Sequence, residues 1–351
     1  MALRCKDFLG KSPNPLRISP CKSILSSGTI ASFRVAAQLS VSMSQPPNIQ
    51  APKWQLALAF AALYLIWGST YLAIKIAIET MPPFLMASSR FLIAGGLLYG
   101  IARMRGATRP TASQWKNAAI VGSCLIAGGN GIVTFAEHWI DSNMAALIIA
   151  SNPIFMTLLG WLGGVQRKPG WIGTGSLLLG LGGVAVLMKS SDALPNENLL
   201  SGYLLVILAV LSWTIGSIYA KRNPVSTSSW LNASMQMLCG SAVCLGAGFC
   251  LGESDTVAIH EISARSWIAF AYLISFGSIM GYTSYVFLLK HCAPTTVSSH
   301  AYVNPVVAVA LGWLILDERL SLSGWFGSGL ILISVFALLH RSQSLEKKSA
   351  S

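Results

Sequence analysis

Arg90 is the residue in this 351-residue chain best placed to do chemistry. It lies about seven residues into an apolar run over 83–103, roughly 10 Å along a helix. A cation at that depth must face protein or water, and it marks a functional position by default. Its forked guanidinium suits a carboxylate. The competing structural role is to snorkel outward and pair with Glu137. Asn130 sits between Gly128-Gly129 and Gly131, where a ligand or backbone can approach closely. Asn152 and Asn304 each precede a proline that frees a carbonyl inside an apolar run. With Tyr282 these amides line a cavity, or else they hydrogen-bond helix to helix for about 0.6 kcal/mol each. Trp67, Tyr71, Trp213, Tyr219 and Tyr302 supply apolar walls, unless they anchor helix ends at the membrane interface. Glu137 and His138 invite proton exchange near neutral pH, against the plainer reading of solvated boundary residues.

Other chemistries lack their residues. The chain has no HExxH, no P-loop, no dinucleotide fingerprint, and no GxSxG with a plausible acid and base. No catalytic residue, cofactor or metal site is expected. The seven cysteines (5, 21, 124, 239, 244, 250, 292) show no CxxC, so neither a disulfide framework nor a metal cluster is supported.

The elements that position these residues follow from composition. Hydrophobic residues make up 53% and charged residues 10%, with a mean hydropathy of +0.60. Ordinary globular chains carry about 25% charged residues. Ten apolar runs are long enough, or nearly so, to cross a bilayer as helices: about 55–77, 83–103, 116–136, 143–164, 171–188, 199–220, 228–251, 266–289, 296–316 and 324–340. The net charge of +12 does not point to nucleic acid, because it is sorted by side. With the residues before Trp54 inside, Lys and Arg collect in the inner loops (Arg103, Arg105, Arg109, Lys116, Lys221, Arg222), and few fall outside (Lys75, Lys189, Arg265, Arg319). Both termini are then cytoplasmic.

The chain also repeats itself. Asn152-Pro153 and Asn304-Pro305 stand 152 residues apart, as do Trp115 and Trp267, Gly129 and Gly281, and Phe135 and Phe287. Upstream, Trp67 matches Trp213 and Lys75 matches Lys221 at an offset of 146. Five spans per copy is an odd number, so the second copy enters the membrane from the opposite side. The expected fold is an all-α membrane protein of ten transmembrane helices in two inverted five-helix repeats, with a midplane site lined by the first four helices of each half. The symmetry is broken at Arg90, whose mate is Gln236, and at Asn130, whose mate is Tyr282. The fifth and tenth runs are glycine-rich, which suits close packing or a homodimer through these helices.

Ile66-Trp67-Gly68-Ser69-Thr70-Tyr71, Pro82-Pro83 before Arg90-Phe91, Gly129-Asn130-Gly131, Ala136-Glu137-His138, and Tyr302-Val303-Asn304-Pro305-Val306-Val307-Ala308-Val309 resemble the EamA-type drug/metabolite transporters, nearest the bacterial inner-membrane exporter branch. The resemblance covers roughly 54–341. It implies ten helices, an inverted repeat and efflux of amino acids or other small metabolites. The expected activity is therefore export of a small amino acid-like or drug-like metabolite by alternating access, with small-molecule substrate and lipid bilayer as partners. The rivals are a carrier of phosphorylated solutes such as nucleotide sugars, which would favour two or more mid-span cations, and a non-transporting membrane scaffold. The expected organisation is a first repeat over 54–190, a second over 199–341 and a cytoplasmic tail over 342–351. Residues 1–50 stand apart, with six Lys/Arg, one acid and many serines. They read as an upstream mis-start before Met43, as an organelle transit peptide, which would move the protein to a plastid membrane, or as a disordered tail.

Overall fold

The computed structural model describes residues 51–164, 168, 170–189, 198–225, 228–256 and 258–350, and the extension over 1–50 lies outside them. Every element among the described residues is helical. α1 is Lys53–Ala77 and α2 Pro83–Met104. α3 is the continuous run Ala112–Ala136, and α4 comprises Ser142–Ile149 and Asn152–Leu162. α5 is Trp171–Lys189, α6 Leu199–Arg222 and α7 Ser229–Cys250. α8 is Ala264–His291, α9 comprises Pro294–Val297 and His300–Leu316, and α10 is Leu322–Ala350. Seven of these are long and apolar enough to cross a membrane, namely α1 to α4 and α6 to α8. Shorter apolar helices cover Trp171–Val186, Val303–Leu316 and Leu322–Ala337. Leu58 and Leu65 on α1, Leu92 and Leu97 on α2, and Leu204 and Leu208 on α6 are all at least half exposed. Helices that are apolar on their outward faces belong in lipid.

Local chemistry fixes the helix ends. Pro83 opens α2 in the first turn, where a missing N–H does no harm. Thr111 and Gln114 form a reciprocal capping box at the start of α3. Buried carboxylates cap two further helices from afar: Glu253 accepts from the Phe84 and Leu85 amides (3.1 and 2.8 Å), and Glu318 from the Ser142 and Asn143 amides (3.0 and 3.1 Å). At helix C-termini lysines do the converse: the Lys75 ammonium donates to the carbonyls of Glu137 and Ile140 at the end of α3 (2.5 and 2.8 Å). Its repeat mate Lys221 donates to the carbonyls of Leu289 and Cys292 at the end of α8 (3.2 and 3.0 Å). All four acceptors are related by the offset of 152.

The packing has the same duality. α2 lies along α7, where Ser88 Oγ donates to the Ser241 carbonyl (2.9 Å), and α5 lies along α10, where Ser334 Oγ donates to the Ser176 carbonyl (2.5 Å). α1 packs on α8 and α9, while α6 packs on α3 and α4. Part of the glycine stripe is used within the chain: a Cβ on Gly183 would press on the Gly327 carbonyl and Ile331. Gly175, Gly182 and Gly329 face open space.

The two Asn-Pro pairs, each expected to free a carbonyl inside its run, do not interrupt their helices alike. α4 is interrupted at Ala150–Ser151, just before Asn152, and Pro153 then falls in the first turn of the next piece. α9 runs unbroken through Pro305 and is interrupted earlier, at Ser298–Ser299. A proline removes only one helical hydrogen bond, so a well-packed helix can continue past it. Identical dipeptides therefore sit in different local structures.

Candidate functional site

Two π-helical stretches carry the polar centre, Ser123–Gly131 in α3 and Leu273–Tyr282 in α8. They occupy repeat-related positions. π-helix is rare and concentrates at functional sites, because its wider turn displaces side chains from α-helical register. Between them Trp67 and Trp213 meet edge to face, with ring centroids 5.4 Å apart. Each glycine mate holds the tryptophan of the other half: a Cβ on Gly129 would collide with the Trp213 ring, and one on Gly281 with the Trp67 ring. Trp213 donates to Tyr285 Oη (2.8 Å) and Trp67 to the Gly277 carbonyl (3.3 Å).

Beside this pair lies a cavity of about 70 Å³, walled by Trp67, Thr70, Tyr71 and Ile74 of α1, Arg90 of α2, Gly129, Asn130 and Val133 of α3, Ile149 and Asn152 of α4, Ala209, Val210 and Trp213 of α6, and His300 of α9. Six residues singled out from the sequence thus share one wall: Trp67, Tyr71, Arg90, Asn130, Asn152 and Trp213. The cavity draws on the first four helices of the first half but only on α6 and α9 of the second. α7 and α8 stand behind it, supplying support rather than surface.

Arg90 is 3% exposed. Its Nε donates to Ser278 Oγ (2.8 Å) and its Nη2 to Asn130 Oδ1 (3.3 Å), and Phe91 lies 4.2 Å beneath it. Nη1 has no partner in the protein. Arg90 is not bridged to Glu137, neither of whose carboxyl oxygens has a hydrogen-bond partner. The second half shows the same pair in closed form. Tyr282 Oη donates to Gln236 Oε1 (2.8 Å), and Gln236 Nε2 donates to Asn232 Oδ1 (3.1 Å). Arg90 and Asn130 thus have mates that also bond each other, but the mates are satisfied where Arg90 is not.

The remaining sequence candidates lie elsewhere. Tyr282 is buried behind the wall on Gln236. Asn304 is buried behind His300, 3.1 Å from its Nδ1. The side chain of Tyr302 lies outside the described residues. Glu137 is fully buried with both carboxyl oxygens unpartnered, whereas His138 is exposed, so the two diverge. Asn152 Oδ1 accepts from Thr214 Oγ1 (3.1 Å). Sequence reasoning missed Thr70, Ser278 and His300. The last was legible as a histidine four residues before Asn304, on the same helix face. Among the described residues no group of three His, Cys, Asp or Glu could hold a metal. The arrangement offers one fixed cation, several neutral polar groups and aromatic walls.

The profile of the EamA-like transporter family matches the chain twice, over residues 53–189 and 200–340. An uncharacterized inner membrane transporter, YedA, of Escherichia coli (strain K12) is 38% identical over 279 residues, covering 79% of this chain and 88% of its own. A probable amino-acid metabolite efflux pump of the same strain is 27% identical over 300 residues, covering 79% and 93%. A solved crystal structure superposes with a TM-score of 0.60 at 18% identity, covering 82% of this chain and 98% of its own, a likeness of fold. Lipid-facing helices, a twofold internal match and a polar cavity at the heart of the bundle agree: this chain belongs to the EamA-like transporter family.

Proposed function

We propose that this protein is a multi-pass inner-membrane secondary carrier that exports a small amino acid-like or drug-like metabolite by alternating access. The observation that carries the reading is Arg90: a buried guanidinium with an unpartnered Nη1, on the wall of an aromatic-lined cavity. A buried charge with unused donors is unfavourable unless a ligand completes it. An anionic group, above all a carboxylate, completes a guanidinium best. The names of the two bacterial relatives support membrane location and efflux.

In this reading all ten helices span the membrane, as two inverted repeats over 54–190 and 199–341 with cytoplasmic termini. The double family match, the mated lysine caps and the exchanged helix contacts support it. The cavity volume is well below the ~300–1,000 Å³ of ordinary ligand pockets, which fits a tight state that must open to load. Opening in turn toward each face is what inverted repeats provide. A phosphorylated solute is less suited, because Arg90 is the single charged residue on the described wall. A homodimer through α5 and α10 would use the outward Gly175, Gly182 and Gly329. The test is an efflux screen: cells overproducing the wild-type chain should resist, or lose faster, a subset of carboxylate metabolites. Equal retention with Arg90→Gln at equal membrane abundance would contradict the anion reading.

A further inference from the structure

A second unpartnered group faces the same cavity. His300 is 3% exposed and stands edge-on to Trp67, with ring centroids 5.4 Å apart. Its Nε2 has no partner in the protein. Which ring nitrogen carries the proton is set by what the other one bonds, and here that is Asn304. With its amide nitrogen toward His300 Nδ1, the Asn304 oxygen faces only acceptors. In the opposite orientation the NH2 donates to the carbonyls of His300 (3.2 Å) and Tyr64 (3.0 Å), and the oxygen accepts from Nδ1–H (3.1 Å). A buried amide takes the orientation that satisfies all its groups. The proton therefore sits on Nδ1, and the unpartnered Nε2 carries a bare lone pair on a ring that lines the cavity.

We infer that His300 is a specificity-determining residue, its Nε2 accepting a hydrogen bond from an N–H or O–H of the ligand whose anionic group meets Arg90. Asn304 is its positioning residue, holding the imidazole in the accepting tautomer. The inference rests on Arg90 as the anion contact proposed above. It narrows the ligand to a small carboxylate that also carries a hydroxyl or amine, with Trp67 and Trp213 packing its apolar part. A site built to bond a substrate donor rejects the analogue without it, because the buried acceptor is then left bare. The repeat mate of His300 is Ile148, so the acceptor exists on one side only.

The test uses the full-length protein in lipid nanodiscs. Nitrogen-15 NMR of labelled histidine should show His300 protonated at Nδ1 and unprotonated at Nε2 at neutral pH, and Asn304→Leu should mix the tautomers. Binding of propionate, lactate and alanine is then followed by tryptophan fluorescence. The wild type should bind lactate or alanine at least ~10-fold more tightly than propionate. His300→Phe should bring that ratio near one. A protonated Nε2 in the wild type overturns the inference, as does a ratio that survives in His300→Phe, or a failure of all three probes to bind. Arg90→Gln should weaken all three alike. If it weakens none while His300→Phe flattens the ratio, the anion reading of Arg90 fails and the acceptor role of His300 stands.

Discussion

Glu137 is the most demanding single residue outside the cavity wall. It follows Ala136, the last residue of the third span, and is wholly buried with neither carboxyl oxygen hydrogen-bonded. Burial pushes its carboxyl well above the usual carboxylate range. The Lys75 ammonium opposes that rise, the Glu318 carboxylate adds to it and Arg90 opposes it. An acid raised in the folded state binds more protons there than in the unfolded chain. Stability is therefore present below the unfolded value, about 4.3, and is lost as pH climbs toward the folded one. Glu137→Gln keeps the shape and removes the titration. Its thermal midpoint should exceed that of the wild type by a margin that grows between pH 5 and pH 8, at ~2–4 °C per kcal/mol. Parallel melting curves across that range would show that Glu137 stays ionised.

The π-helical stretches of α3 and α8 depend on glycines that admit a tryptophan ring. Gly129→Ala or Gly281→Ala should lower stability by about 1–3 kcal/mol through overpacking against Trp213 or Trp67. Gly96→Ala is the control: nothing lies near its Cβ, so the change should be neutral or stabilising by up to ~1 kcal/mol. Denaturation of the purified variants separates the two outcomes. These elements also show what the sequence could convey. Helix boundaries from α1 to α9 were legible to within a few residues because Pro83, Thr111, Ser228 and Ser263 punctuate apolar runs, whereas α10 runs past the expected end at 340, through the expected tail to Ala350. The shift from α to π was not, since Gly128 to Gly131 permit close approach without dictating which carbonyl each amide finds. The six wall residues were legible as aromatic or polar groups at depth. Tyr282 and Asn304 do not line the wall, although their repeat mates Asn130 and Asn152 do, because each is held by a neighbour, Tyr282 by Gln236 and Asn304 by His300. The wall position of His300 depends on the approach of Trp67 from a distant helix, which spacing along the chain does not reveal.

For the whole molecule, the claim is that two related halves of opposite orientation enclose one asymmetric site. The lysines that cap α3 and α8 then belong to opposite membrane faces. Single cysteines at Glu79 and Asn223, close beyond Lys75 and Lys221, should react differently with an impermeant thiol reagent applied to intact cells: Glu79→Cys labelled, Asn223→Cys protected until the membrane is opened. Equal labelling of both would refute the inversion. On this proposal the symmetry would supply the moving frame, and the cargo would be read where symmetry fails, at Arg90 against Gln236 and His300 against Ile148. The most direct measurement is the efflux rate of a carboxylate substrate found by the screen, compared between the wild type, Arg90→Gln and Arg90→Lys at equal membrane abundance. One lost charged hydrogen bond, about 1.5–3 kcal/mol, predicts a drop of about 10–100-fold for Arg90→Gln, with partial recovery in Arg90→Lys. Efflux by Arg90→Gln at the wild-type rate would contradict the account.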